Sequence, residues 1–395
     1  MRTDDYLNVI ESHVKEHGDN KYAAYESAGR QFERLIKEGK IKTIDISIKA
    51  LAEACMKEAG KEDITISDTR FTEAVGSTSF PNITKYIISS EMIPRFEYSA
   101  DRMSPLFTEG TSSRTDVERI AGFTSMEGLE YVPEGYPTQE TGFHEKYAEI
   151  SLGKFNKSVS LTKEAIYNDN TGQLISNAAR IGEVAGEQLE KYLIQTIEIL
   201  PRSLLTSYET TSNLGCAKFD GTVVTIGNFY STDHSALAYM GLQTNANLAT
   251  GQSLDTDGLD TALRLFPNMK SDRGEYISVN PKTLLVHTNN AMTAWQLTKS
   301  IGQFDTANNA ANPWGPGGMV NFNVMVSNYL VTSTTWYLGD FKKQFQLLYW
   351  ERPNVVSQGG NSESAYTSDI VMKWKFQVGL GAAAVDYRYV CKNTA

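Results

Sequence analysis

The sequence predicts an α+β protein, and three observations carry that reading. Residues 170–200 have the period of one long helix. Residues 123–161 read as a long polar hairpin. Residues 370–380 alternate in the manner of a half-buried strand, at the end of a chain with no regular βα repetition. Helices, hairpin, long helix, mixed α/β and then strands do not build a doubly wound sheet.

The long helix comes first because the other parts are organised around it. Apolar or small residues recur at Leu174, Ala178, Ile181, Ala185, Leu189, Tyr192, Thr196 and Ile199. Steps of three and four put them on one face. Asn170 stands as N-cap with Gln173 in capping-box spacing, and Pro201 stops the helix. Its length is roughly 40 Å at about 1.5 Å per residue. Taken alone, such a helix also fits an ordinary α+β enzyme.

Composition bounds the class. The chain has 395 residues, 41% apolar and 21% charged, with net charge −10. That is too apolar for a disordered chain. No apolar run approaches the roughly 20 residues that span a bilayer, and the first residues lack the apolar core of a secretory signal. Lys and Arg cluster no more densely than at 37–42, which argues against gripping nucleic acid. Cys55, Cys216 and Cys391 are far apart and odd in number, which suits a reducing cytosol better than a disulfide framework.

In chain order, residues 1–60 carry three amphipathic stripes. Tyr6, Ile10 and Val14 form one, Ala24, Ala28, Phe32 and Leu35 another, and Leu51, Ala52, Cys55, Met56 and Ala59 a third, closed by Gly60. With little core of their own, they are expected to pack on the main body or on a neighbouring copy. Residues 71–107, with Pro81, Pro94 and Pro105, read as irregular chain with helical pieces. In the hairpin, Glu127, Glu130, Glu134, Glu140 and Glu145 interleave with Tyr131, Val132, Tyr136 and Phe143, and Gly135, Pro137 and Gly142 mark the tip. A two-stranded ribbon polar on both faces is marginal in water. It needs a surface, on a second subunit or on its own domain.

Beyond the long helix, 253–268 and 291–301 read as helices, and 276–279, 282–286, 320–326, 336–338 and 345–349 as strands. Residues 306–318, rich in Asn, Pro and Gly, read as a loop. Catalytic motifs fail on inspection. The chain lacks G-x-x-x-x-G-K-[ST] and G-x-S-x-G. Gly379-Leu-Gly381-Ala-Ala-Ala384 spells a dinucleotide fingerprint but leaves no room for the helix that must follow. His144-Glu145 opens a zincin motif that Ala148 breaks. Asp233-His234 is an acid–base pair on paper, in a string that reads as a turn, and His287 reads as a satisfied histidine at a strand end. Five histidines and three dispersed cysteines spell out no metal set, and no cofactor is implied.

The order of parts resembles the major capsid protein of tailed bacteriophages. An acidic hairpin precedes Val159-Ser-Leu-Thr-Lys-Glu-Ala-Ile-Tyr-Asn-Asp169 and then a long helix, as in the Hong Kong 97-like fold. Further segments are similar to the Mu-type head-subunit branch: Phe229-Tyr-Ser-Thr-Asp-His234, Asn280-Pro-Lys-Thr-Leu-Leu-Val286, Asn312-Pro313, Trp336-Tyr-Leu338, Lys373-Trp-Lys-Phe376 and Gly381-Ala-Ala-Ala-Val-Asp-Tyr-Arg388. The resemblance spans 123–393. The residue patterns before it give an N-terminal helical arm at 1–72, which matches no arm of the family, and an irregular segment at 73–122; the resemblance implies an extended hairpin loop at 123–161. A peripheral domain follows at 162–230 with its spine helix at 171–200, then an axial domain at 231–340 and C-terminal strands at 341–395 that return to the peripheral domain.

The implied function is structural: the subunit of an icosahedral shell around a double-stranded DNA genome, without catalytic residues. Its partners are further copies of itself in hexamers and pentamers, a portal, and decoration or scaffold proteins. Packaged DNA is touched only non-specifically, and no membrane is involved. Contacts between subunits are expected at Glu134, Gly135, Tyr136, Glu140, Phe143 and Lys146 of the hairpin, and at Asn312, Trp314 and Gly317 near the axis. An encapsulin-like compartment shares the hairpin and spine. A cytosolic hydrolase using Asp233 and His234 is the competing reading from another class.

Overall fold

The N-terminal stripes fold as helices α1 (Thr3–His17), α2 (Lys21–Lys37) and α3 (Ile48–Glu58). The computed structural model describes residues 3–18, 20–42, 45–61, 79–123, 134, 145–168, 173–198, 218–219, 222–223, 229–232, 245–271, 274–302, 312–318, 320–358 and 370–395. Further helices are α4 (Phe80–Ala100), α5 (Lys163–Asn168), α6 (Gln173–Glu198), α7 (Thr256–Leu265), α8 (Ala291–Lys299) and α9 (Phe341–Gln344). The strands are β1 (Thr108–Thr111), β2 (Val117–Phe123), β3 (Glu145–Ser151), β4 (Gly153–Thr162), β5 (Lys218–Phe219), β6 (Thr222–Val223) and β7 (Leu248–Thr250), then β8 (Thr283–His287), β9 (Asn323–Ser327), β10 (Trp336–Gly339), β11 (Phe345–Gln358), β12 (Ile370–Ala384) and β13 (Val390–Thr394). The chain divides into a first unit of Met1–Arg102, Lys154–Glu190 and Glu351–Leu380, and a second of Met103–Gly153, Lys191–Trp350 and Gly381–Ala395.

In the first unit the N-terminal helices pack on one another and on α4, so the main body is what they rest on. Side chains of Asn20 and Ser47 cap α2 and α3 by accepting from the backbone N–H groups of Ala23 and Ala50. Tyr6 and Phe32 meet with ring centroids 5.9 Å apart.

The helical pieces expected within 71–107 prove to be mostly one long helix, α4. Pro81 sits in the first turn, where an N–H has no intrahelical partner to lose. Pro94, inside the helix, strips the Ser90 carbonyl of its donor at a cost of about 3 kcal/mol. Burial of Ile83, Ile87, Ile88, Met92 and Phe96 offsets that, at about 1.5–3 kcal/mol each. The aromatic and sulfur contacts of α4 run to β12: Phe96 lies 5.3 Å from Phe376, and the Thr84 hydroxyl is 3.3 Å from Met372 Sδ.

Helix α6 is present at nearly its expected span; its second half buries the expected Leu189, Tyr192 and Thr196, while in its first half the buried face is shifted. Ile175, Ala179, Gly182, Gly186, Leu189, Leu193 and Ile197 are buried, whereas Ile181 and Ala185 are half-exposed. The shift traces to the glycines, which apolar periodicity ignores. A Cβ on Gly182 would run into the Met92 carbonyl, and one on Gly186 into Ser99 Cβ and the Phe96 carbonyl. Two small residues four apart therefore let α4 and α6 approach backbone to backbone. Asn170, the expected cap, lies outside the described residues.

Sheet order in the first unit is β11-β12-β4, and in the second β1-β11-β12. β1 runs parallel to β11, with Thr108 opposite Gln346 and Thr111 opposite Tyr349. The expected one-sided burial of β12 holds only near its start: from Phe376 to Ala384 both faces are buried, Gln377 included. It is an inner strand covered on both sides, which suits a continuous apolar run better than alternation.

A second sheet, in the second unit, has the order β7-β13-β10-β8-β9. β10 pairs antiparallel with β8 and β13, while β8–β9 and β13–β7 are parallel. Its core gathers Leu259 and Phe266 from the α7 region, Leu284 and Val286 from β8, Phe322, Trp336 and Leu338. Residues 276–279 do not form the expected strand; Tyr276 makes only an isolated bridge to Lys270. β13 lies in this sheet rather than with the long strands β11 and β12. Among the described residues, no helix is long and apolar enough to cross a membrane.

Candidate assembly surfaces

The hairpin exists and starts earlier than its sequence suggests. β2 and β3 pair antiparallel from Val117–Ser151 to Phe123–Glu145. Its root is not polar on both faces. Ala148, Ile150 and Leu152 alternate inward, and Ile150 and Leu152 join Leu348, Ala383, Ile120 and Trp350 in a small core. The Leu152 N–H donates to the Asp116 carbonyl at 2.6 Å, and the Trp350 indole N–H to the Gly153 carbonyl at 3.3 Å. Gly381 belongs to the same anchor, because a Cβ there would strike the Ser151 carbonyl. The dinucleotide spelling at 379–384 thus lies inside a strand, and its second glycine answers a close backbone approach.

The chain after the root is wet. Along β4, Lys154, Asn156, Lys157, Ser158 and Ser160 are exposed, so neither face is covered in its middle. Glu134 is an exposed turn residue, and Lys146 lies opposite Gly122 on β3. Gly135, Tyr136, Glu140 and Phe143 lie outside the described residues, as do Asp233, His234 and Cys216.

The loop expected near the axis is visible from Asn312 to Gly318, and it turns two of its expected contact residues inward. The Asn312 amide donates to the carbonyls of Leu297 at 2.7 Å and Ser300 at 2.9 Å, closing the C-terminus of α8. Its oxygen accepts from the Trp314 N–H at 3.1 Å. Trp314 is buried in the core of the second sheet, 6.3 Å from Phe322. Their own subunit uses both side chains, and Pro316, Gly317 and Gly318 form the exposed tip.

An exposed apolar surface stands beside that loop. On α8, Ala294, Leu297 and Thr298 face inward, while Met292 and Trp295, three residues apart, are 65% and 56% exposed, and Ile301 is 80% exposed. Ile301 continues in sequence the three- and four-residue spacing of Ala294 and Leu297 on the buried stripe. It leaves that stripe because the helix ends at Lys299 and Ser300 is extended. Apolar periodicity could not reveal the outer face; a tryptophan out of phase with the stripe was the available signal.

Two cysteines and one histidine among the described residues are quiet. Burial pushes the free Cys55 and Cys391 thiols up to about 12, so neither is a thiolate near neutrality. His287 Nδ1 accepts from the Asn289 N–H at 3.1 Å and caps a short turn, the satisfied role its position suggested.

A family model described as phage capsid protein matches residues 146–393. The chain belongs to that family. It is a structural phage capsid protein with an α+β fold, and the virion is its location. Among solved structures, the capsid of a native GTA particle is 9% identical, with TM-score 0.47, covering 75% of this chain and 90% of that one. The cyanophage Pam1 capsid is 14% identical, with TM-score 0.44, covering 74% and 91%. The protein recorded as Mycobacterium phage Bobi is 13% identical, with TM-score 0.42, covering 74% and 89%. The curated proteins include no match to this chain.

Proposed function

We propose that this capsid protein closes its shell through two surfaces, the hairpin and the outer face of α8, in the Hong Kong 97-like arrangement of the Mu-type branch. Residues 123–161 reach over a neighbouring subunit, with Glu134, Gly135, Tyr136, Glu140, Phe143 and Lys146 on that contact. Residues 171–200 are the spine of a peripheral domain at 162–230, which 341–395 rejoin through β11 and β12. Residues 231–340, with β13 added, are the axial domain. The tip at Gly317 and the face of Met292, Trp295 and Ile301 meet their counterparts in a hexamer or pentamer, while Asn312 and Trp314 hold that tip in place. The shell forms in the host cytoplasm around double-stranded DNA. A portal fills one vertex, and scaffold or decoration proteins complete the particle. A net charge of −10 keeps contact with the genome non-specific.

The observation that carries this reading is the exposed apolar group on and just after α8. Two large side chains three apart on a wet helical face, with a third beside the helix end, cost solubility unless something covers them. In a shell of identical chains the cover is another copy. The test is Trp295→Asp in the full chain, followed by sedimentation and electron microscopy. Folded, soluble subunits without shells support the reading; shells formed at the wild-type yield overturn it.

A further inference from the structure

The five histidines, which spell out no metal set in the sequence, include one pair a helical turn apart. His13, Glu16 and His17 occupy positions i, i+3 and i+4 at the end of α1, so they share one face. One ligand atom from each lies within 4.8 Å of the others. We propose that these three residues form a site for a divalent transition-metal ion of the zinc class, which clips the end of α1 against α2.

The surroundings of His13 show how one ring nitrogen is left available. Its Nε2 lies 2.5 Å from Gln31 Oε1 on α2. With the amide oriented that way the oxygen only accepts, so Nε2 carries the proton. Nδ1 then holds the lone pair, and it faces Glu16 Oε2 at 3.4 Å. A histidine ligand whose other nitrogen donates to an oxygen has the outer partner that fixes its tautomer and ring orientation. The Ser27 hydroxyl, 3.2 Å from Nδ1, occupies the lone pair when no ion does.

Glu16 and His17 are exposed, so their side chains are free to close the set. Zinc–ligand bonds of about 2.0–2.2 Å bring neighbouring ligand atoms to roughly 3.3 Å, a contraction that rotamer changes at two surface residues supply. Two nitrogens and a carboxylate oxygen suit zinc better than calcium or magnesium, which prefer oxygen alone. Water takes the fourth position. The negative end of α1 adds attraction for a cation. Because His13 keeps its bond to Gln31 of α2 when the ion displaces Ser27, an ion held by His13 and His17 fixes the turn between the helices.

Equilibrium dialysis of the full chain against zinc chloride, with bound metal measured per chain, tests the site. Wild type is expected to hold one more zinc than His17→Ala or Glu16→Gln, both changes at exposed positions. Gln31→Met, which removes only the outer partner, is expected to weaken that zinc about 10-fold or more. Zinc is also expected to raise the melting temperature of wild type and not of His17→Ala, with a chelator reversing the rise. Equal zinc content and affinity in wild type, His17→Ala and Glu16→Gln overturn the proposal. Loss in those two variants with no effect of Gln31→Met overturns the role of Gln31.

Discussion

Helices α6 and α8 both present a face of small or apolar side chains, and the two faces have opposite fates. On α6, Gly182 and Gly186 bring α4 to backbone distance, so the face is consumed within the first unit. On α8, in the second unit, the inward face is consumed in the same way, but Met292 and Trp295 turn outward. The difference teaches that the apolar pattern of a helix reports that it is covered without reporting by what. In a protein that works as many copies, part of the cover belongs to the chain itself and part to its neighbours. Substitutions sort the two kinds, because removing an internal contact unfolds the subunit and removing an external one does not.

The largest effect is expected at Trp314, which lies in the loop beside the α8 face but points into the core. Buried against Phe322 in the second sheet's core, Trp314→Ala should cost the unassembled subunit about 3–5 kcal/mol by denaturant unfolding. A loss below about 1 kcal/mol would mean that this indole serves a neighbour after all. Next is Gly182→Ala. In an exposed helix this change gains about 1 kcal/mol. Here the new methyl meets the Met92 carbonyl, part of a helix backbone that cannot swing aside, and overpacking costs about 1–3 kcal/mol. Net destabilisation is therefore expected, and a stabilised variant would break the account of the α4–α6 seam.

What the sequence made legible follows the same division. The long helix, the hairpin, α7, α8 and the C-terminal strands were readable because their patterns are local. α4 was hidden because Pro81 and Pro94 argue against a helix on local grounds, and only burial by α2, α6 and β12 outweighs them. In the first half of α6 the buried face lies one residue away from the apolar stripe, because glycine carries no apolar weight although close packing needs it, whereas Leu189, Tyr192 and Thr196 are buried as the stripe predicts. At the candidate contacts, Asn312 and Trp314 stood out as unusual residues in a loop, but whether such residues face in or out is a tertiary question. Trp295 is out of phase with Ala294 and Leu297, and that phase is what places it outside.

A smaller effect, read as a pH dependence, is expected at Glu198, the last residue of α6. Its carboxylate is buried and accepts from the Val331 N–H at 3.2 Å through either oxygen. Burial raises its pKa, with the Val331 amide and the charge of Lys392 opposing. A carboxyl raised in the folded state binds its proton more tightly folded than unfolded. Its contribution is therefore fully present below the ordinary carboxylate range and is lost as pH rises through the raised value. Glu198→Gln removes the titration, so the unfolding midpoint of the variant should fall less than that of wild type between mild acid and neutrality. Parallel pH profiles would mean that Glu198 is solvated and that the end of α6 is not closed over it.

The smallest effect on the subunit, and the one that sharpens the comparison most, is expected at Met292. Its side chain is 65% exposed on the outer face of α8, so Met292→Ser removes almost no internal burial. Stability of the unassembled chain should change by no more than about 0.5 kcal/mol, the range of surface substitutions away from special features. Assembly should respond differently, because each copy repeats the loss. If the apolar area removed per contact is roughly 60 Å² at about 25 cal/mol per Å², each interface weakens by about 1.5 kcal/mol. A hexamer repeats that deficit at six contacts, one per subunit, so the critical concentration for shell formation should rise about tenfold while the melting curve of the free subunit stays in place. A variant that shifts both together would show Met292 to be part of the subunit's own core, and would remove α8 from the surfaces that join one copy to the next.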